Sequence, residues 1–172
     1  MDFISHLLVG ILIALLLNSS KKMACWIVGL SILPDIFEMP LYLYVGAINS
    51  RAFWIPSNGD WAGFSLSHPL QSTLWYVPHS LIVILIVLAV VLLYRLPMTG
   101  FFVYTFHILL DIPAHTNEWA MRPFWPLPYA VSGFTDMWSW PLWQIILAWA
   151  FLILLCAGVI IYRKAKSRRK KS

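Results

Sequence analysis

The sequence predicts an all-α polytopic transmembrane helix bundle of about five spans, with the N-terminus outside and the C-terminus cytoplasmic. Three observations carry that expectation. Hydrophobic residues make up 60% of the 172-residue chain and charged residues only 11%, which is the balance of an integral membrane protein and excludes a soluble domain. Apolar runs recur along the chain, separated by prolines, charges and turn residues. The basic residues are segregated: with five crossings, Lys21, Lys22, Arg95 and the C-terminal cluster fall on one side and only Arg51 and Arg122 on the other.

The first run, Phe3 to Leu17, makes a helix of about 22 Å against a hydrocarbon core of about 30 Å, so it is the shortest span. Asp2 precedes it and Lys21 and Lys22 follow it, an order that fits a retained first helix rather than a cleaved signal peptide. The second span, Met23 to about Ile48, is interrupted by Pro34-Asp35 and Glu38-Met-Pro40, where the backbone groups freed by proline need partners from neighbouring helices or water. A loop is expected from Asn49 to Thr73, with turn signals at Pro56-Ser-Asn-Gly59. Leu74 to Tyr94, rich in Leu, Ile and Val and closed by Arg95 and Pro97, reads as the clearest crossing.

Met98 to about Ala114 forms the fourth span, and a Trp- and Pro-rich loop follows from Thr116 to Ser139. Pro141 to Tyr162 forms the fifth. Residues 1–162 thus make a single transmembrane domain, and 163–172 a basic cytoplasmic tail. Nearly all of the net charge of +5 sits in that tail. Directly after an apolar span it reads as a stop-transfer anchor near anionic lipid, not as a nucleic-acid site. Cys25 and Cys156 lie in apolar runs without metal-type spacing and read as small core residues. Eight of the tryptophans fall in or beside the two outer loops, as an interfacial belt or a lid at the headgroups.

Polar residues inside the spans carry the functional signal. His107, Asp111 and His115 are spaced four apart, so His107 and Asp111 share a helix face, while Pro113 ends the helix before His115. An ionised aspartate near mid-bilayer costs about 2.5 to 3.5 kcal/mol on insertion scales and needs a partner. At 1.5 Å per residue, His6 and His79 lie about 7 Å below the outer boundary, Glu38 and Asp111 about 8 to 9 Å, Asp35 about 12 Å, His107 about 15 Å and His115 about 3 Å. Segments entering from both sides therefore deliver His6, Asp35, His79, His107 and Asp111 to one outer layer.

Such a set of imidazoles and carboxylates suits a divalent metal, zinc first, with manganese or iron as alternatives, and haem is the poorer match beside buried carboxylates. Glu38 and His115 are the candidate general base or proton shuttle, and Arg122 a candidate phosphate contact. A site beneath the outer headgroups would meet acyl or phosphate esters of membrane lipid or of a lipid-linked substrate. The same residues leave two other classes open: binding and transport of a metal ion or protons, or a structural membrane protein whose polar groups only join helices.

At these positions the chain resembles a family of membrane-bound, metal-dependent hydrolase-like proteins whose bacterial inner-membrane members are regulated by LexA. The matching pieces are Ser5-His6, Leu33-Pro34-Asp35, Pro78-His79-Ser80, His107-Ile-Leu-Leu-Asp111-Ile-Pro-Ala-His115 and the later Phe124-Trp-Pro-Leu-Pro128. The resemblance covers most of the chain to about Trp140, and implies a multi-pass protein of the cytoplasmic membrane with hydrolase activity, on phosphoesters among other candidates. Two positions depart from it. Phe37 stands where the family commonly has a second acidic residue, with Glu38 next to it, and the His-Arg-Gly that precedes the family's His-Ser is absent.

Overall fold

The computed structural model describes residues 2–169. Among these the chain is all-helical, its only bridge pairing being that of Met121 with Val131. Helix α1 spans Phe3–Leu16, α2 Lys21–Ile48, α3 Asn58–Ser67, α4 Pro69–Ser72, α5 Leu81–Leu93, α6 Met98–Asp111 and α7 Leu142–Arg169.

Two of these, α2 and α7, are long and apolar enough to cross a membrane. The 14, 13 and 14 residues of α1, α5 and α6 reach only about 20 Å, short of a hydrocarbon core of about 30 Å. The expected crossing from Leu74 begins seven residues late, because Pro78 lacks an N–H donor and Ser80 caps α5 by accepting from Val83 N. The supposed loop 49–73 holds two helices. Its turn signal is a helix start: Ser57 and Asp60 form a capping box, with Ser57 Oγ accepting from Asp60 N at 3.2 Å and Asp60 Oδ2 from Ser57 N at 2.7 Å.

Helix α2 runs through Pro34 and Pro40 without a break; its flanks are packed against α1 and α6, which hold it where an isolated helix would break. Helix α7 likewise continues past Tyr162 to Arg169, so the described part of the basic run, 163–169, is helical. Lys and Arg are good helix formers, and positive charge at a helix C-terminus complements its dipole.

Directions follow from paired contacts. Trp149 donates to Asp2 at 2.9 Å, and Arg163 donates to the Leu16 carbonyl at 3.3 Å, so α1 and α7 are parallel. Ser31 donates to the His6 carbonyl and Ile27 packs on Ala14, so α1 and α2 are antiparallel. Trp26 donates to Pro97 O while His107 reaches Ser31 O, so α2 and α6 are parallel. Gly10 and Gly100 permit these close approaches, since a Cβ at either would overlap Ser31 or Trp26 and Leu30.

The bundle consequently has two unlike ends. At one lie Lys22 and Arg95 in a common recess, with Arg163 on the last carbonyl of α1. At the other, Trp61, Phe64, Trp75, Tyr76 and Trp119 are buried with Val45 in an aromatic core, against which Trp125 and Trp138 pack. These rings are not a belt of separate interfacial anchors: Trp61 and Trp119 stack at 4.9 Å, and Trp119 and Trp138 at 5.1 Å. Together they form a lid.

Candidate metal centre

Directly beneath the lid the chain gathers its polar residues. Asp111, at the end of α6 and 1% exposed, is the hub. His6 Nε2 stands 2.9 Å from its Oδ1, His107 Nε2 3.0 Å and His79 Nε2 3.3 Å from its Oδ2, and His115 Nε2 3.4 Å from its Oδ1. Asp35 Oδ1 lies 3.6 Å from His107 Nε2. All seven residues read from the sequence as metal or catalytic candidates are therefore in one cluster, and all but Asp35 are buried.

Local structure explains each placement. His107 and Asp111 share a face of α6, as do Asp35 and Glu38 on α2, three residues apart, whereas Phe37 points away and is exposed. Glu38 thus supplies a second carboxylate from the next residue along. His79 sits in the turn before α5, held by the Tyr104 hydroxyl, which donates to Pro78 O at 2.5 Å. His115 lies beyond the helix yet is buried, because its segment is laced to the lid: Gly133 N donates to His115 O at 2.7 Å, and Phe134 and Thr135 N to Pro113 O. Proline ends the helix here but does not carry His115 away from the cluster.

For His107, His79 and His115 the second ring nitrogen indicates where the proton sits. His107 Nδ1 lies 2.6 Å from the Ser31 carbonyl, which can only accept, so Nδ1 carries the hydrogen. The neutral ring then turns a lone pair at Nε2 toward Asp111. His79 Nδ1 faces Glu38 Oε1 at 2.5 Å, and a carboxylate again calls for the proton there. The two atoms are at ion-pair distance without hydrogen-bond alignment. His79 Nε2 and His107 Nε2 thus face one another at 3.2 Å across an Asp111 oxygen. Three lone-pair-bearing atoms converging in a buried space repel unless a proton or a metal cation lies among them.

Imidazoles that ligate metals typically donate their other N–H to a carbonyl or carboxylate; His107 does so to the Ser31 carbonyl, and the Glu38 carboxylate stands at ion-pair distance from His79 Nδ1. His115 is of the opposite kind. Trp138 Nε1, which can only donate, approaches His115 Nδ1 at 3.2 Å, leaving Nε2–H to donate to Asp111. Its geometry is that of a group orienting Asp111 rather than a ligand.

Two ligand sets have atoms close enough to share an ion: His6, Asp35, His107 and Asp111, and Asp35, Glu38 and His79. Asp35 belongs to both. His6 is held by ring stacking on His107, with centroids 3.6 Å apart. The donor set of nitrogen and carboxylate oxygen, two imidazoles being oriented from behind, fits a borderline or hard divalent cation.

Arg122 is absent from this cluster: its guanidinium lies 4.4 Å over the Tyr76 ring. His68 is also apart, exposed and stacked on Phe64. Sequence reading overlooked Ser31, Tyr104 and Trp138, which position His107, His79 and His115. Only Tyr104 carried a signal, three residues before His107 on the same helix face. Searches against family models, curated proteins and solved structures find no match to this chain.

Proposed function

We propose that this chain is a multi-pass protein of the cytoplasmic membrane that hydrolyses ester or phosphoester bonds of lipids or lipid-linked substrates near the outer leaflet, using a divalent metal. The supporting observation is the convergence of the His79 and His107 Nε2 lone pairs on Asp111, with both rings oriented from behind by Glu38 and the Ser31 carbonyl. The resemblance to membrane-bound metal-dependent hydrolase-like proteins points the same way.

Five crossings with the N-terminus outside are supported by the alternating helix directions and by Lys22, Arg95 and Arg163 collecting at one end. The metal cluster then lies in the outer half. The short helices α1, α5 and α6 are completed across the bilayer by local thinning and by flanking aromatic residues.

His6, Asp35, His79, His107 and Asp111 hold the cation, with Glu38 behind His79. Bound there, the cation supplies Lewis acidity toward an ester oxygen and toward water. In hydrolysis the oxygen of water bonds to the acyl carbon or phosphorus, the bond to the leaving alcohol breaks, and the proton released by water ends on that alcohol. Glu38 is placed to carry this proton, and His115 holds Asp111 through Nε2–H. The tryptophan lid excludes bulk water, which strengthens every charge interaction beneath it.

Transport of the ion through the bundle is disfavoured: below the cluster, Ala14, Ile27 and Val103 close an apolar core. The test is elemental analysis of the detergent-purified protein together with assays on short-chain and long-chain esters and phosphoesters. Stoichiometric zinc, manganese or iron, with activity that chelation abolishes and metal restores, is the expected result. A metal-free protein after gentle purification defeats the proposal.

A further inference from the structure

An apolar groove of about 370 Å³ ends at the metal cluster. One wall is the first turn of α1, with Phe3 and Ile4, and the other is α2, with Met39 and Leu43; Trp138 and Trp149 flank it. Its polar inner end is formed by Asp35 and Glu38, the two carboxylates of α2 that belong to the ligand sets. Asp35 Oδ2 is buried and has no hydrogen-bond partner among the described residues, and Asp35 is the one cluster residue left partly exposed, at 15% of its side chain. The cluster is thus covered by the lid from above and reached along this apolar passage through Asp35 and Glu38.

We infer that the groove between α1 and α2 takes the hydrocarbon chain of a single-chain or splayed lipid ester, entering sideways from the bilayer, with its ester group delivered to Asp35 and Glu38. This rests on the hydrolase reading for its chemistry, and on the groove alone for its ligand. Three features select the occupant. Among the described residues no basic side chain lines the groove, so a free anionic headgroup finds no partner from them there. Its volume is near the lower end of the range of about 300–1,000 Å³ for ligand pockets, which admits one chain segment and not a whole two-chain lipid. Its outer rim is already apolar and exposed: Ile4 is 40% and Phe53 90% exposed, which places the mouth where lipid chains are.

The rim also carries backbone strain. Phe53 and Trp54 both adopt left-handed conformations, with φ of 57° and 58°, which bulky residues rarely accept. The turn at Phe53 and Trp54 is packed closely on α2, since a Cβ at Gly46 would overlap the Trp54 carbonyl. Strain of this kind persists where the surroundings over-determine it. Here its result is to project Phe53 over the groove mouth, as a side wall for an entering chain.

The test uses the full-length protein in phospholipid nanodiscs containing a lipid ester with a photoreactive diazirine near the chain terminus. Labelled peptides are mapped by mass spectrometry, and metal content is measured on the same samples. Wild type should be labelled chiefly on the first turn of α1 and on residues 39–43. Leu43→Trp, which fills the groove, should reduce that labelling at least fivefold, as should the milder Ile4→Trp at the rim if Leu43→Trp fails to fold. Leu92→Trp, on the exposed face of α5, should leave it unchanged.

Labelling spread evenly over all lipid-facing helices and insensitive to both groove variants overturns the inference. The metal measurement separates the two proposals. A labelled groove in a metal-free protein supports the chain site and overturns the hydrolase, whereas a metal-loaded protein with even labelling overturns the chain site alone. Comparing a carboxyl ester with a phosphodiester of the same chain length identifies which head the groove delivers.

Discussion

At the end where α1 turns into α2, Ala14, Ile27 and Val103 close on one another with Gly100 drawing α2 and α6 together, and the packing is apolar. At the other end the same helices surround four imidazoles and three carboxylates beneath stacked tryptophans. Burying charge costs several kcal/mol per ion unless it is compensated, so the second arrangement is a poor way to hold helices together. The first is an efficient one, because small residues let backbones approach. The contrast suits the apolar end to stability and the polar end to the chemistry proposed for it, and mutations can test the division.

The largest effect is expected at the hub. Asp111→Ala removes the group that faces all four histidines and should reduce metal content below a tenth of wild type and hydrolysis by at least about a hundredfold, the upper range seen even for groups that only support ligands. Elemental analysis and turnover measured together check it. Unchanged metal content would place the ion elsewhere, and the division of labour would fall with it. Tyr104→Phe should act in the same direction but less strongly. Losing its bond to Pro78 O frees the turn that carries His79, and metal affinity should fall roughly tenfold. A competition titration with a chelator reads this directly.

At the apolar end the signs separate. Gly100→Leu drives a side chain into Trp26 and Leu30, and overpacking of this kind costs about 1–3 kcal/mol. The unfolding midpoint in detergent should drop, while protein that remains folded keeps its metal. Equal loss of metal and stability would mean that the two ends are one cooperative structure.

The sequence made the polar end more legible than the fold that holds it. His6, Asp35, His79, His107 and Asp111 were readable as a group because charge in an apolar run is costly and needs a joint explanation. Glu38 could be read as a stand-in for the acid missing at position 37, since i and i+3 share a helix face. The start of α5 was misread because Leu74 to Val77 is as apolar as the helix that follows, and composition does not reveal where Pro78 and Ser80 start the hydrogen-bond ladder. The tryptophans were open to two readings, a belt or a lid. A ring packed on other rings and a ring at an interface have the same sequence signature, and the distinction depends on contacts between residues far apart, such as Trp61 and Trp119. Ser31 and Trp138 were invisible for the same reason: each orients a histidine from another segment.

The smallest expected effect lies outside both ends, at the exposed pair of Arg51 and Asp60. Arg51 donates to both Asp60 oxygens, at 2.6 and 2.8 Å, and Ser57 N adds a third bond. The Arg51 hydrogen bonds, with Ser57 second, hold the Asp60 carboxyl well below the usual carboxylate range. A depressed folded-state pKa stabilises α3 fully above the unfolded value of about 3.9, and that contribution is lost as pH falls toward the folded value. The start of α3 should therefore keep its amide-exchange protection unchanged from pH 7 to 5, with loss confined to stronger acid. Asp60→Asn should raise exchange at Trp61 at neutral pH and leave metal content at the wild-type level. Loss of metal in Asp60→Asn would show that the cap of α3 reaches the cluster through Trp61, Trp75 and His79, and the lid would then belong to the chemistry rather than merely cover it.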